Sequence, residues 1–86
     1  MPLKFTERFK RQYLKLPPEI RDKADKALKL LDANYRHPGL RSHPVDGAPG
    51  IYEAYVDRKY RLTYEHHNDF FILRNIDNHD ECLRKP

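Results

Sequence analysis

IYEAYVDRKYRLTYEHHNDFFILRNI, residues Ile51 to Ile76, is the stretch whose reading decides the fold. Its periodicity is two: Tyr52, Ala54 and Val56 fall on one side of a strand, with Glu53 and Tyr55 on the other. After a turn at Asp57 to Lys59, Tyr60, Leu62 and Tyr64 alternate with Arg61, Thr63 and Glu65. The polar tract His66 to Asp69 reverses the chain again, and both of its histidines are expected in solvent. Phe70 to Ile76 is the next strand. It is apolar on both faces, as a central or doubly covered strand would be, so the pattern does not choose its inward face. Asp77 is placed to cap a short final turn carrying His79, Glu81 and Cys82.

Upstream of this stretch the period is helical. Leu3 to Phe5 is a short apolar strand, and Thr6 offers a capping hydroxyl to a helix running from Glu7 to about Lys15, with Phe9 and Tyr13 on one face. Pro17 and Pro18 interrupt it, because neither donates a helical hydrogen bond. Pro18 suits a first helical turn, and Ile20, Ala24, Ala27, Leu28 and Leu31 then recur at helical spacing up to a stop at Asn34. Arg36 to Gly50 holds all three glycines and three of the seven prolines, the composition of an ordered loop, and no regular element is predicted there. The predicted order is β-α-α-β-β-β with a short C-terminal turn. This is an α+β domain in which a helical hairpin covers one face of a small antiparallel-rich sheet and leaves the opposite face open for function.

Eighty-six residues build one hydrophobic core, so residues 1–86 are read as a single domain. No apolar run approaches the length of a membrane span, and Met1 to Lys10 lacks the apolar segment of a secretory signal; a cytoplasmic protein without a membrane partner is expected. Cys82 is alone, which excludes an intramolecular disulfide and a thiolate metal cage and points to a buried, idle thiol. The net charge of +4 favours polyanionic partners: nucleic acid, a ribosome or an acidic protein segment.

The element order, together with LRSHPVDG (Leu40 to Gly47), IYEAYVDRKYRLTYE (Ile51 to Glu65) and FFILRNIDNHDECL (Phe70 to Leu83), resembles the RelE/ParE toxin superfamily over nearly the whole chain. YRLTY is similar to the YR-apolar-x-Y strand of that group. The loop His43-Pro44-Val45-Asp46-Gly47 and His79 are most similar to its YafQ branch. The resemblance implies a toxin of a type II toxin–antitoxin system, bound by a cognate acidic antitoxin. In the RelE and YafQ branches it implies a ribosome-dependent mRNA endonuclease that uses neither metal nor cofactor. There a ribose 2′-hydroxyl attacks the adjacent phosphate, with a base, an acid and positive charge on the phosphorane. In the ParE branch it implies an inhibitor of DNA gyrase, and a non-catalytic scaffold that only binds an antitoxin is a third reading.

Carried over by position, His43, Arg61 and His79 are the candidate catalytic residues, and Tyr55 and Lys59 the candidate substrate-binding ones. Tyr55 stands where the YafQ branch has a further histidine, Lys59 where it has an aspartate, and Leu83 near its terminal aromatic. Residue chemistry alone leaves each position two readings. Two histidines divide proton removal and donation near neutral pH, and an arginine on the outer face binds phosphate as a fork. Against this, His43 serves equally as a loop hydrogen-bonder, His79 beside Asp80 as a turn-closing residue, and Arg61 as the partner of Glu53 in a surface ion pair worth about 0 to 1 kcal/mol. A zinc site from His43, His66, His67 and His79 lacks any paired ligand spacing.

Overall fold

The two-residue period after Gly50 is realised as one five-stranded sheet in the computed structural model, which describes all 86 residues. The strands are β1 (Leu3–Phe5), β2 (His43–Pro44), β3 (Ile51–Tyr55), β4 (Tyr60–His66) and β5 (Phe71–Asn78), in the spatial order β1-β5-β4-β3-β2. Only β1 and β5 run parallel; the other pairs are antiparallel. The helical hairpin is α1 (Glu7–Leu14) and α2 (Pro18–Ala33). Thr6 starts α1 by accepting a hydrogen bond from the Phe9 N–H on its hydroxyl oxygen at 3.1 Å, and the same hydroxyl donates to the Leu73 carbonyl at 2.9 Å, tying the helix start to β5. Pro18 takes the first position of α2, where its missing N–H costs nothing.

The face of β5 that periodicity left open is settled by a bulge. Thr63 pairs with Asn75 and Tyr64 with Leu73, so Arg74 is an extra residue without a partner on β4. Before the bulge Phe71 and Leu73 point to the helices; after it the parity changes and Ile76 does. These three join Phe9, Ala24, Ala27, Leu31, Ala54, Leu62 and Tyr64 in one core. Arg74 and Asn75 are carried to the other face, where Arg74 pairs with Glu65.

Several expectations are corrected. The loop contains a single 3-10 turn, Pro38–Leu40, capped by the His37 ring, which accepts from the Gly39 N–H. It also contains β2, a two-residue edge strand whose Pro44 has no N–H to give a further neighbour. Strand limits move by a residue or two, to Ile51–Tyr55 and Phe71–Asn78, and it is Asn78, not Asp77, that caps the last element. That element is a six-residue helix, α3 (His79–Arg84), rather than a turn, and it packs on β4 and β5 from the side opposite the hairpin. The outer face is therefore half covered. Finally, His66 and His67 are partly buried rather than free in solvent: His66 packs among Tyr35, Tyr52 and Phe71, while His67, with 42% of its side chain exposed, stacks on Phe70 and bonds Glu65 at 2.9 Å.

Asn75 fastens α3. Its amide nitrogen donates to the Cys82 carbonyl at 2.9 Å and the Lys85 carbonyl at 3.2 Å, using two of the acceptors that a helix C-terminus leaves open. Cys82 is fully buried beneath the helix, and burial pushes its thiol up to about 12, which keeps it protonated and inert. Asn75→Ala is expected to cost about 1 to 3 kcal/mol in urea unfolding and to raise amide exchange selectively at Cys82 to Lys85. Equal exchange changes throughout the sheet would contradict this local role.

Candidate active site

Register places a polar row across the outer face. His43 lies opposite Glu53, Glu53 opposite Thr63, and Thr63 opposite Asn75. One step along, Tyr55 lies opposite Arg61 and Arg61 opposite Asp77. Because α3 roofs part of this row, Glu53 is only 4% exposed, although strand periodicity assigns it to the outer face. The pairing with Arg61 that the sequence allowed is present, and it is not a surface pair. Glu53 Oε1 lies 3.5 Å from Arg61 Nε and 3.7 Å from His43 Nε2, so one shielded carboxylate faces both groups.

Arg61 is held on several sides. Its Nη1 donates to the Asp57 carbonyl and, at 2.9 Å, to the Tyr60 carbonyl, while its guanidinium lies 4.8 Å from the Tyr55 ring centroid. Nη2 has no protein partner and is the nitrogen left for a ligand. The turn that supplies the Asp57 carbonyl is itself anchored, since Lys23 of α2 bonds the Asp57 side chain at 2.6 Å and the Lys59 N–H bonds its other oxygen at 3.0 Å. Lys23 first, then the Lys59 N–H, hold the Asp57 carboxyl below the usual carboxylate range.

His43 is exposed on β2, and its Nδ1 lies 2.8 Å from the Arg41 carbonyl. A carbonyl only accepts, so Nδ1 carries a proton and Nε2 is the bare nitrogen of the neutral ring. Arg41 reaches this position in the left-handed region, with φ of 49°, a conformation few non-glycine residues adopt. Its own guanidinium lies 5.0 Å from the Tyr55 centroid, so two cations sit on that ring. A hollow of about 270 Å³ opens beside His43 and Glu53 and is closed on one side by Leu83 of α3.

The five expected site residues thus fall into two groups. His43 and Arg61 are joined through Glu53, and Tyr55 lies against the Arg61 guanidinium. Lys59 and His79 form the second group at the β3–β4 turn, where the His79 N–H donates to the Lys59 carbonyl at 2.7 Å. The His79 ring is turned to Asp80, with Nδ1 3.6 Å from its carboxylate, and no hydrogen bond or ion pair links it to His43 or Arg61. Three contributors went unread in the sequence as parts of this site: the shielded state of Glu53, Arg41, and the Lys23–Asp57 anchor. The only available signal was the acid at Glu53 two residues before Tyr55, and its meaning depends on β2 and α3, neither of which the pattern predicts. No three His, Cys, Asp or Glu side chains come together as a metal cage.

The Asp57 anchor has a signed pH dependence. A carboxyl whose pKa is depressed by folding contributes stability that is present above its unfolded value, here 3.8, and is lost as pH falls through the lower folded value. Lys23→Met is expected to lower the unfolding free energy at neutral pH, with the gap to the parent starting to narrow near 3.8 and closing below the lowered folded value. A gap that persists undiminished in acid would show that the anchor is not ionic.

No protein-family model matches the sequence, and no curated protein matches it. Solved structures do. YafQ from E. coli strain BL21(DE3) superposes with a TM-score of 0.74 at 16% identity, covering 92% of this chain and 93% of that one. A YoeB/ParE toxin from Agrobacterium tumefaciens gives 0.77 at 13%, covering 92% and 99%. The intact E. coli RelBE toxin–antitoxin complex gives 0.72 at 21%, covering 90% and 94%. With both chains covered almost end to end, the β-α-α-β-β-β-β-α arrangement seen here is the fold of the YafQ, YoeB and RelE toxins.

Proposed function

We propose that this protein is the toxin of a type II toxin–antitoxin system of the RelE/ParE superfamily, and that it cleaves mRNA on the ribosome by metal-independent acid–base chemistry. The observation that carries the reading is the meeting of His43 and Arg61 across Glu53, beside a tyrosine ring that already holds two guanidinium groups. Bare Nε2 of His43 takes the proton from a ribose 2′-hydroxyl as its oxygen attacks the adjacent phosphorus. Arg61 Nη2 donates to a phosphorane oxygen, and His79, exposed at the start of α3, gives a proton to the departing 5′-oxygen. The products are a 2′,3′-cyclic phosphate and a 5′-hydroxyl. Tyr55, through the two guanidinium groups on its ring, and Lys59 hold the flanking nucleotides by charge. The site belongs to the cytoplasm, where translated message is.

The partner is an acidic antitoxin. Net charge of +4 suits it, and the RelBE structure of the same fold is a toxin–antitoxin complex. The apolar hollow between β1, α1 and α2, edged by Phe5 and by Leu14 at 69% exposure, gives such a partner area to bury. A small acidic protein encoded next to this reading frame is expected to co-purify and to release as salt rises from about 0.1 M to 1 M; its absence overturns this part.

The cleavage itself is tested by mapping transcript ends in expressing cells and on programmed ribosomes. New cuts in translated message support the nuclease, whereas intact message with gyrase-dependent DNA breaks supports the ParE-like alternative. His43→Ala and His79→Ala are each expected to lower cleavage by about 10² to 10⁴-fold while moving stability by about 0.5 kcal/mol, since both rings are largely exposed. Arg61→Ala lowers both, because its guanidinium is mostly shielded and holds the β3–β4 turn. If both histidine variants cut at the parental rate, neither imidazole is a catalytic residue.

A further inference from the structure

Glu53 is the one carboxylate that faces both candidate catalytic groups on β2 and β4, and it is shielded from water at 4% exposure. A carboxylate in such a place is costly unless cations compensate it. Arg61 is the compensating cation here, and the neutral His43 ring addresses the same oxygen, so both neighbours of the carboxylate are groups assigned to the chemistry. The neighbouring polar side chains of the row do not hydrogen-bond this carboxylate. Its cross-strand neighbour Thr63 keeps a buried hydroxyl without a partner, and the next residue in the row, Asn75, spends its amide on α3.

Resting on the nuclease reading above, we propose that Glu53 is the positioning residue of this site: a fixed negative charge that aims Arg61 and stabilises the imidazolium formed when His43 takes its proton. Two consequences follow from the geometry. Arg61 has its Nη1 bound to two turn carbonyls and its Nε 3.5 Å from Glu53, so the guanidinium plane is fixed and Nη2 is left without a protein partner. His43 has its Nδ1 proton on the Arg41 carbonyl, so a proton gained at Nε2 makes an imidazolium whose Nε2 lies 3.7 Å from Oε1. The carboxylate therefore does more once the proton has moved than before, which is the requirement for accelerating a step. Glu53 touches no substrate and exchanges no proton in this scheme; it acts through the other two residues.

The test compares parent, Glu53→Gln and Glu53→Ala on programmed ribosomes, with saturating and subsaturating ribosome concentrations separating kcat from KM. Glu53→Ala is expected to lower kcat by about 100-fold with KM within about threefold, the scale of loss that misplacing catalytic groups produces. Glu53→Gln, which keeps the oxygen but not the charge, is expected to recover part of that loss. The Arg61 Nε–H signal in nitrogen-15 NMR spectra is expected to lose its protection from water exchange in Glu53→Ala. Assays are run well below each variant's melting temperature, and Gln serves where Ala does not fold. Active parent with undiminished kcat in both variants overturns the role of Glu53 alone. Loss confined to KM, with kcat and the Arg61 signal unchanged, also overturns it, because a binding charge rather than a positioning one would act that way. Inert parent on programmed ribosomes overturns the nuclease reading and this role together.

Discussion

One extra residue in β5 governs how both faces of the sheet are used. Without the bulge at Arg74, the alternation that points Phe71 and Leu73 at the helices would send Asn75 into the core and Ile76 out to α3. An apolar core has no partner for the Asn75 amide, and a desolvated unpaired amide costs a few kcal/mol, about 1 to 3 by mutational measures. The bulge gives the amide nitrogen its partners on α3, while Oδ1 stays buried without one. It lets a strand be apolar toward the hairpin along its whole length and still present Arg74 and Asn75 on the other side.

Everything on the outer face follows from that switch. Asn75 secures the end of α3, α3 roofs the polar row, and the roof lowers the effective dielectric around Glu53. On an open sheet face the Glu53–Arg61 pair would be a solvated ion pair of little consequence. Under α3 the same pair is screened by protein rather than by water, and its geometry is fixed by neighbours that have separate anchors: Arg61 by the turn carbonyls, the turn by Lys23, and His43 by the Arg41 carbonyl. Preorganisation here means that each group has lost its freedom to something other than the ligand.

The parts of this arrangement differ in how far they could be read from the chain, and the reason is range. The hairpin helices, β1 and the meander rest on local periodicity and on capping chemistry at Thr6 and Pro18, so they were legible almost to the residue. The bulge was not, because an added residue shows in a sequence only as apolar residues on both sides of a strand, the same trace that a doubly buried strand leaves. β2 is two residues long and contains a proline, which gives periodicity nothing to act on. The helical hairpin has no reason of its own to predict α3, whose six residues gain their order from Asn78 and Asn75 and from burying Cys82. Hence Arg61, Tyr55, His43 and His79 could be nominated, while the shielded state of Glu53 that links two of them could not. It depends on β2 and α3 together.

The same reasoning separates the two histidines. His43 is fixed at Nδ1 by a backbone carbonyl and backed at Nε2 by a carboxylate, so its ring has a defined tautomer and a defined direction for a proton. His79 has a neighbouring carboxylate at 3.6 Å on its own short helix, and Asp80 is almost fully exposed. A pair of that kind in water constrains the ring weakly. What fixes His79 is its backbone, through the N–H bonded to the Lys59 carbonyl, which places the imidazole at the end of the site beside the β3–β4 turn but leaves its rotation free. A base must be aimed at one hydroxyl before any charge has formed, whereas an acid meets an oxygen that gains charge as its bond breaks and draws the donor toward it. The rigid histidine and the free one therefore suit different halves of the cleavage proposed above, His43 the attacking side and His79 the leaving side.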